Sequence, residues 1–333
     1  MPTSEYEEFQ VSTSDGKQKA TVTNAKKEVA FVGADGLEFA DDLTVPVGVY
    51  EGVPFDQYRR INALNNSRFS DFVQSPRHYE HFRKHPKNLE TAALTFGSLA
   101  HCGVLEPARL LELYVILPDF AEGIGGARPT ATKEYKAKKA AFESKHTGKT
   151  AITDDQYQKL LGVVEAVDED KRAREAFQGG RAEVTMVWVD DITGKLCKAR
   201  PDYMRPGDGM LCDLKTTRDA RDFGRSIAKY GYDRQAAWYL RGARALNYDM
   251  GRFFFVVVES DAPHGVLAAP LDADTLEDGR LQIEHDLRRL AECEATGKWP
   301  GYVHPETFKK PRYAMKWVRS KHTTQFGGYT VQV

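Results

Sequence analysis

The most constraining feature of this sequence is a series of three short apolar segments separated by turn residues: 182–189, 195–203 and 210–215. β-Branched and aromatic residues fill the first segment, and Asp-Asp-Ile-Thr-Gly and Pro-Gly-Asp-Gly are typical turn sequences. The pattern therefore predicts a hairpin followed by a third strand. Side chains two residues apart leave the same face of a strand. Asp213 and Lys215 are thus expected on one face, with Leu214 pointing into the core.

A second carboxylate is expected beside this strand. Asp202 follows Pro201 near the end of the hairpin's second strand and can lie next to Asp213. Two carboxylates beside a lysine are typical of a site for a hard divalent cation, which neutralises them and leaves the lysine free to act. The alternative is a structural ion pair. That simpler interpretation suits the other acid-x-Lys pairs, which lie in a turn or in charge-rich helical stretches: Asp15/Lys17, Glu134/Lys136, Glu143/Lys145 and Glu169/Lys171.

These residues carry a resemblance. Pro201-Asp202 followed by Asp213-Leu214-Lys215 resembles the signature of the PD-(D/E)xK nuclease superfamily. The segment from Gly97 to His101 resembles the Gly-x-x-x-His motif of its RecB-type branch, and 235–239 resembles the Gln-x-x-x-Tyr motif. The wider phrasing is most similar to the exodeoxyribonuclease VIII (RecE) family of prophage recombination systems, over residues 47–302.

The resemblance implies a set of site residues. The metal ligands would be His101, Asp202, Asp213 and the Leu214 carbonyl, with Glu183 nearby through water. Oxygen ligands favour Mg²⁺, and a histidine shifts the preference toward Mn²⁺. A lone helical histidine is otherwise most simply a hydrogen-bonded core residue.

The resemblance also implies roles for three polar side chains. Lys215 would position the attacking water and stabilise developing charge. Gln235 and Tyr239 would fix the phosphate or the water. They are four residues apart and share one helix face, which could also be an ordinary polar surface.

The pattern along the chain predicts one α/β domain with a central mixed β-sheet flanked by helices on both faces. Strands at 252–259 and 266–271 join the sheet. Residues 1–45 form a polar segment that is either partly disordered or a hairpin at 21–23 and 29–32. The nuclease domain is expected over 46–297, followed by a basic and aromatic tail over 298–333. Helices are predicted from Asn66 and over these ranges: 91–105, 153–177, 218–229, 232–246 and 272–296.

Charge places a condition on any DNA-binding surface. The formal net charge of the 333-residue chain is -1, so attraction to a polyanion must be local. One candidate is the basic stretch 128–149, which is equally a solvated helix face, and the other is the tail over 298–322, which is equally an arm that packs on a neighbouring subunit. The DNA-binding candidates in these stretches are Arg128, Lys133, Lys136, Lys309, Lys310 and Arg312.

Cysteine usage and hydropathy bear on the compartment. The four cysteines show no C-x-x-C spacing, which favours a reducing compartment and predicts no iron–sulfur cluster. The longest apolar run, 253–258, is too short to span a bilayer, and the N-terminus has no signal-peptide pattern. These features predict a cytoplasmic protein.

The resemblance implies an exonuclease that digests linear double-stranded DNA. It also implies a RecT-like single-strand annealing protein as its partner and a homo-oligomer, such as a ring, as its assembly. A 5′→3′ direction would follow from the RecE-like family. Two alternatives stay open at this point. One is a single-strand or structure-specific nuclease with the same core, and the other is a DNA-binding or assembly module without catalysis.

Overall fold

The structure is a computed structural model that describes residues 7–13, 16–22, 31–33, 45–85, 92–125, 128–302, 324–326 and 329–331. The chain divides into two compact units, Met1–Trp299 and Pro300–Val333. Within the described residues, no helix has the length and apolar character needed to cross a membrane. Lys309, Lys310 and Arg312 lie outside the described residues.

The strands are β1 (Glu7–Thr13), β2 (Gly16–Val22), β3 (Phe31–Gly33), β4 (Gly48–Glu51), β5 (Tyr114–Ile116), β6 (Thr150–Ile152), β7 (Arg181–Ala182), β8 (Thr185–Val189), β9 (Leu196–Ala199), β10 (Tyr203–Arg205), β11 (Met210–Thr217), β12 (Arg252–Glu259), β13 (Val266–Pro270), β14 (Thr324–Phe326) and β15 (Tyr329–Val331). The α-helices are α1 (Phe55–Arg60), α2 (Asn66–Gln74), α3 (Pro76–Lys84), α4 (Ala92–Leu105), α5 (Leu110–Leu113), α6 (Lys133–Lys145), α7 (Asp154–Glu169), α8 (Lys171–Ala176), α9 (Phe223–Tyr230), α10 (Tyr232–Ala245) and α11 (Ala273–Thr296).

The central sheet has five strands in the order β13-β12-β11-β10-β7. Strands β11 and β12 are parallel, and the other neighbours are antiparallel. Both faces are buried: Leu214 and Val256 pack with α4, α7 and α8, whereas Leu211 and Phe255 pack with α10 and α11. The prediction of a mixed sheet with helices on both faces is confirmed.

The predicted hairpin differs from the observed one because it serves two sheets. Each of its arms is broken, so that β8 and β9 pair in a second, four-stranded sheet with the order β3-β4-β8-β9, while β7 and β10 pair in the central sheet. The first arm bends at Glu183, whose φ is +52°, and the second bends over 200–202. A left-handed backbone at a residue other than glycine is uncommon, which is why the alternation in the sequence did not reveal it.

Three other predicted elements were wrong in their bounds. The helix predicted over 218–229 begins at Phe223 and ends at Tyr230. The helix predicted over 153–177 is two helices, because the Asp170 side chain accepts a hydrogen bond from Ala173 N (2.8 Å) and begins α8. The N-terminal hairpin pairs β1 with β2, over 7–13 and 16–22, rather than the two segments predicted. Strand β3 instead pairs with β4.

Helix α10 lies close against the four-stranded sheet because of one glycine. A β-carbon at Gly242 would come within 2.7 Å of the Trp188 ring on β8, so a larger residue would push the helix away. One turn before Gly242, Trp238 is fully buried, and its indole N–H donates to Lys198 O (3.0 Å) on β9. These contacts fix α10 against β8 and β9.

Candidate active site

Strand β11 carries an acid and a lysine on one face, as its period of two requires. Asp213 is fully buried, and Lys215 Nζ lies 2.5 Å from Asp213 Oδ2. Leu214 packs into the core on the opposite face. Although it lies this close to the ammonium, Asp213 Oδ2 makes no aligned hydrogen bond and is a buried oxygen without a hydrogen-bond donor. The lysine therefore balances the charge of this carboxylate without forming an aligned hydrogen bond to it.

The bend in the hairpin brings a second carboxylate to β11. Glu183 N donates to Asp202 O (2.9 Å), one pair beyond the end of the β7–β10 ladder. Asp202 Oδ2 then accepts a hydrogen bond from Leu214 N (2.7 Å). The carboxylate takes the place of a missing strand neighbour, and this fixes Asp202 beside the Asp213–Lys215 face.

His101 approaches from α4. Its Nε2 lies 2.8 Å from Leu214 O, and since a carbonyl can only accept, Nε2 carries the hydrogen. Its Nδ1 lies 3.4 Å from Asp202 Oδ2 and 4.0 Å from Glu183 Oε1. The Gly97 position is not required for this approach, because a β-carbon there would meet only Thr216 Oγ1, at an ordinary 3.7 Å.

The structure thus brings together most of the sequence-predicted ligands. Ligand atoms of His101, Glu183 and Asp202 all lie within 4.8 Å of one another. Glu183 is a member of this group, with its Oε1 4.0 Å from His101 Nδ1, and its contact with a metal through water stays a prediction. Asp213 is not a member of the group in this arrangement, since its carboxylate is turned toward Lys215 and Gln235.

The polar pair on α10 completes the surroundings of Asp213. Gln235 Nε2 donates to Asp213 Oδ1 (3.0 Å) and to the Tyr239 hydroxyl (2.9 Å). Both residues therefore point into the site and are not part of a polar helix surface. The amide hydrogens of Gln235 are used within the site, which makes it a residue that orients Asp213.

Sequence reasoning missed Arg200. Its side chain is only 6% exposed, and its Nε donates to Glu183 Oε2 (2.5 Å) while one guanidinium nitrogen donates to Val53 O (2.6 Å). The arginine therefore holds Glu183 at the bend. Its position two residues before Asp202 was the available signal, because a buried arginine next to a site carboxylate needs an acidic partner.

Crowded charges shift the titration of this group. Burial and then the negative charge of Asp213 raise the pKa of Asp202 to about 7. Burial alone would lower the pKa of His101, but Asp202 and Glu183 raise it to about 9. Burial alone would raise the pKa of Glu183, but His101 and Arg200 lower it. The shifts show carboxylates held together at an electrostatic cost that positive charge relieves.

The donor set fits a divalent cation. Carboxylate and carbonyl oxygens with one imidazole are ligands for Mg²⁺ or Mn²⁺. When His101 is neutral with its hydrogen on Nε2, its free Nδ1 lies 3.4 Å from Asp202 Oδ2, which is similar to the separation of neighbouring ligands around such an ion, about 3 Å for bonds of about 2.1 Å. Asp213 Oδ2 accepts no hydrogen bond, so it is a further oxygen that could bind the cation.

The basic candidates on and before α6 are at the surface, and no described contact joins them to the site. Arg128, Lys133 and Lys136 are exposed. Neither lysine has an ion-pair partner among the described residues, whereas Lys138 pairs with Glu134. Their role in DNA binding remains a prediction.

Comparison with known proteins gives a family and a fold. A family model described as a PDDEXK-like domain of unknown function (DUF3799) matches residues 65–309. Among solved structures, the chain is similar to a protein from Eubacterium rectale named as a candidate exonuclease, with 16% identity, a TM-score of 0.51, and coverage of 78% of this chain and 93% of that chain. It is also similar to an alkaline exonuclease from Laribacter hongkongensis, with 16% identity, a TM-score of 0.26, and coverage of 60% and 96%. No curated protein matches significantly.

Proposed function

Because the chain belongs to DUF3799, a PDDEXK-like family within the PD-(D/E)xK superfamily, we propose that it is a metal-dependent nuclease that degrades linear double-stranded DNA from its ends. One observation carries the proposal. Strand β11 presents Asp213 and Lys215 beside an Asp202 whose carboxylate is bonded to the backbone of the same strand. An ordinary ion pair has no need of the second, bonded carboxylate or of His101 next to it.

The ligands proposed for the ion are His101, Asp202, Asp213 and the Leu214 carbonyl, with Glu183 at the edge of the group. When bound, Mg²⁺ or Mn²⁺ would neutralise the carboxylates, polarise the phosphate and lower the pKa of a water molecule. Arg200 keeps Glu183 from turning away, since the two side chains are joined at 2.5 Å. The proposed chemistry uses none of the four cysteines.

Lys215 supplies a positive charge on the face where the phosphate would lie. Its ammonium would orient the attacking water and stabilise the charge that develops on the phosphate oxygens. Gln235 and Tyr239 act through Asp213, which the amide holds at 3.0 Å, so we assign them a positioning role. The product would carry a 5′-phosphate.

The substrate and partners follow from the resemblance to the RecE family. We propose digestion in the 5′→3′ direction that leaves single-stranded overhangs for a RecT-like annealing protein, in a cytoplasmic homo-oligomer that could close into a ring. Arg128, Lys133, Lys136 and the tail residues Lys309, Lys310 and Arg312 are proposed to track phosphates, because a chain of net charge -1 needs local basic surface.

The experiment compares two forms of one DNA. A linear duplex and its covalently closed circle are incubated with the protein and Mg²⁺ or Mn²⁺, with a chelator as control, and released nucleotides are measured. Release from the linear form alone supports the exonuclease. Cleavage of the circle favours the endonuclease alternative. DNA binding without any metal-dependent cleavage would overturn the proposal and favour a non-catalytic module.

A further inference from the structure

A series of aromatic contacts leads from the site lysine to the protein surface. Lys215 Nζ lies 4.7 Å from the centroid of the Tyr232 ring. The Tyr232 ring in turn contacts the Tyr230 ring, with centroids 5.6 Å apart and an interplanar angle of 36°. Tyr230 is 55% exposed. The exposed ring of Tyr230 is therefore separated from Lys215 only by the ring of Tyr232.

The two tyrosines differ in what surrounds them. Tyr232 is held in the core by Phe223, which stacks on it at 5.6 Å, and by Phe255 at 5.9 Å. Tyr230 is the last residue of α9, which ends at Gly231 with φ +67°. Packing against Phe223 and Phe255 therefore accounts for the aromatic ring at Tyr232, whereas no core packing accounts for the exposed ring of Tyr230.

One cation lies over this exposed ring, and a second lies over the turn that follows it. Lys229 Nζ lies 5.0 Å from the Tyr230 ring centroid. The guanidinium of Arg234 folds back over the turn, where a β-carbon at Gly231 would collide with it. Within the described part of the chain, neither Lys229 nor Arg234 has an ion-pair partner.

Nearby arginines behave differently, which makes these two cations notable. Arg221 pairs with Asp219 at 2.8 Å, and Arg225 pairs with Asp222 at 3.1 Å. An exposed aromatic ring with uncompensated cations is the combination that binds single-stranded nucleic acid, because bases stack on the ring and phosphates meet the cations.

We propose that the α9–α10 turn binds the DNA strand next to the cleaved phosphate, with Tyr230 stacking on a nucleobase and Lys229 and Arg234 contacting phosphates. This inference rests on the proposed function and names the substrate contact of the same site. The stacking is sequence-independent, because every base has a face that can lie on the ring.

The test measures equilibrium binding in a cleavage-deficient Asp213→Asn background. The probes are linear DNAs with a single-stranded end in which one nucleotide at a time is replaced by an abasic site. One abasic position should weaken binding about fivefold to a hundredfold, because stacking contributes about 1–3 kcal/mol per base. In Tyr230→Ala this sensitivity should disappear, and in Tyr230→Phe it should return. Leu281→Ala, at a leucine of similar exposure (51%) on α11, is the control that should keep it.

Salt dependence separates the ring from the cations. Lys229→Gln and Arg234→Gln should each flatten the log–log slope of binding against salt by up to about 0.7 for a single-stranded contact, whereas Tyr230→Ala should leave the slope unchanged. Thermal melting checks that each variant is folded.

Three results bear on the outcome. Equal binding of intact and abasic DNAs by the background protein overturns the stacking contact, even where the cleavage assay on linear DNA succeeds. Equal abasic sensitivity in Tyr230→Ala assigns stacking to another residue and also overturns it. If the wild-type protein neither binds nor cleaves linear DNA, the proposed function itself fails, and this inference fails with it.

Discussion

Two lysines, one buried and one partly buried, lie in the two different sheets of this chain and have opposite surroundings. Lys198 on β9 is 2% exposed, and its Nζ lies 2.7, 3.2 and 2.7 Å from the carbonyl oxygens of Tyr58, Arg59 and Ile61, to which it donates. Lys215 on β11 has a side chain that is 17% exposed and touches one carboxylate without an aligned hydrogen bond.

Their pKa values move in opposite directions for this reason. Burial, followed by the positive charges of Arg68 and Arg59, lowers the pKa of Lys198 to about 7. Burial alone would also lower the pKa of Lys215, but the negative charges of Asp213 and Asp202 raise it.

The comparison shows how to separate a structural lysine from a functional one. Lys198 closes the C-terminal end of α1 and has every donor in use, so it can do nothing else. Lys215 lies beside the negative charges of Asp213 and Asp202, and it forms no aligned hydrogen bond to Asp213 Oδ2. Both lysines belong to segments that resemble the same family, and only their contacts distinguish them.

The largest effect is expected at Lys215. Lys215→Ala should lower turnover about a hundredfold to a thousandfold, because it removes a charge aimed at the developing oxyanion. The free energy of unfolding should also fall, because the buried Asp213 carboxylate loses the ammonium 2.5 Å away, so turnover is compared per folded molecule. Single-turnover cleavage of linear DNA and thermal melting of the same samples check both parts. Near-normal turnover would remove Lys215 from the site.

The second effect concerns Lys198, whose Nζ is hydrogen-bonded to three carbonyls. Lys198→Met should lower the free energy of unfolding by about 3 kcal/mol at pH 9, because buried carbonyls lose their donor and each orphaned group costs about 1–3 kcal/mol. Denaturant unfolding gives the value. Turnover per folded molecule should stay within a small factor of wild type. A stable but inactive variant would reverse the comparison.

A pH series sharpens the contrast between the two residues. A lysine in an unfolded chain has a pKa of about 10.4, so the unfolded chain binds a proton more readily than buried Lys198, whose pKa is about 7. Stability contributed by Lys198 is therefore present at high pH and is lost as pH falls toward 7. The stability difference between wild type and Lys198→Met should be larger at pH 9 than at pH 7 by about 2 kcal/mol.

Lys215 should add no such dependence, since its pKa is raised and it is protonated in both states across this window. A difference that does not change with pH would mean that the carbonyls keep Lys198 charged.

The smallest effect tests whether the charges near Lys215 exist to hold a cation. His101→Ala should raise the Mg²⁺ or Mn²⁺ concentration needed for half-maximal cleavage about tenfold or more, because one ligand is lost. Lys198→Met is the matched control and should leave the metal requirement unchanged. A lower melting temperature with an unchanged requirement would make His101 a structural residue.

The sequence predicted the parts of this site that depend on local periodicity. The spacing of two placed Asp213 and Lys215 on one face of β11, and the spacing of four placed Gln235 and Tyr239 on one face of α10. The mixed sheet with helices on both faces followed from the order of the apolar segments.

What the sequence could not predict depends on contacts between distant segments. The left-handed backbone of Glu183 divides one hairpin between two sheets, and no residue type announces it. The bond from Arg200 to Glu183 and the ring of Tyr232 over Lys215 arise only once these segments are packed.

The central claim is that the carboxylates around Leu214 hold a divalent cation, and calorimetric titration of Mn²⁺ into the DNA-free protein tests it most directly. Wild type should bind the ion with a measurable heat, and Asp213→Asn should bind it at least about tenfold more weakly, because a charged oxygen ligand is removed. Asp286→Asn, at a buried aspartate that pairs with Arg289 on α11, is the matched control and should bind like wild type. Equal binding by wild type and Asp213→Asn, or no binding by wild type, would contradict the account.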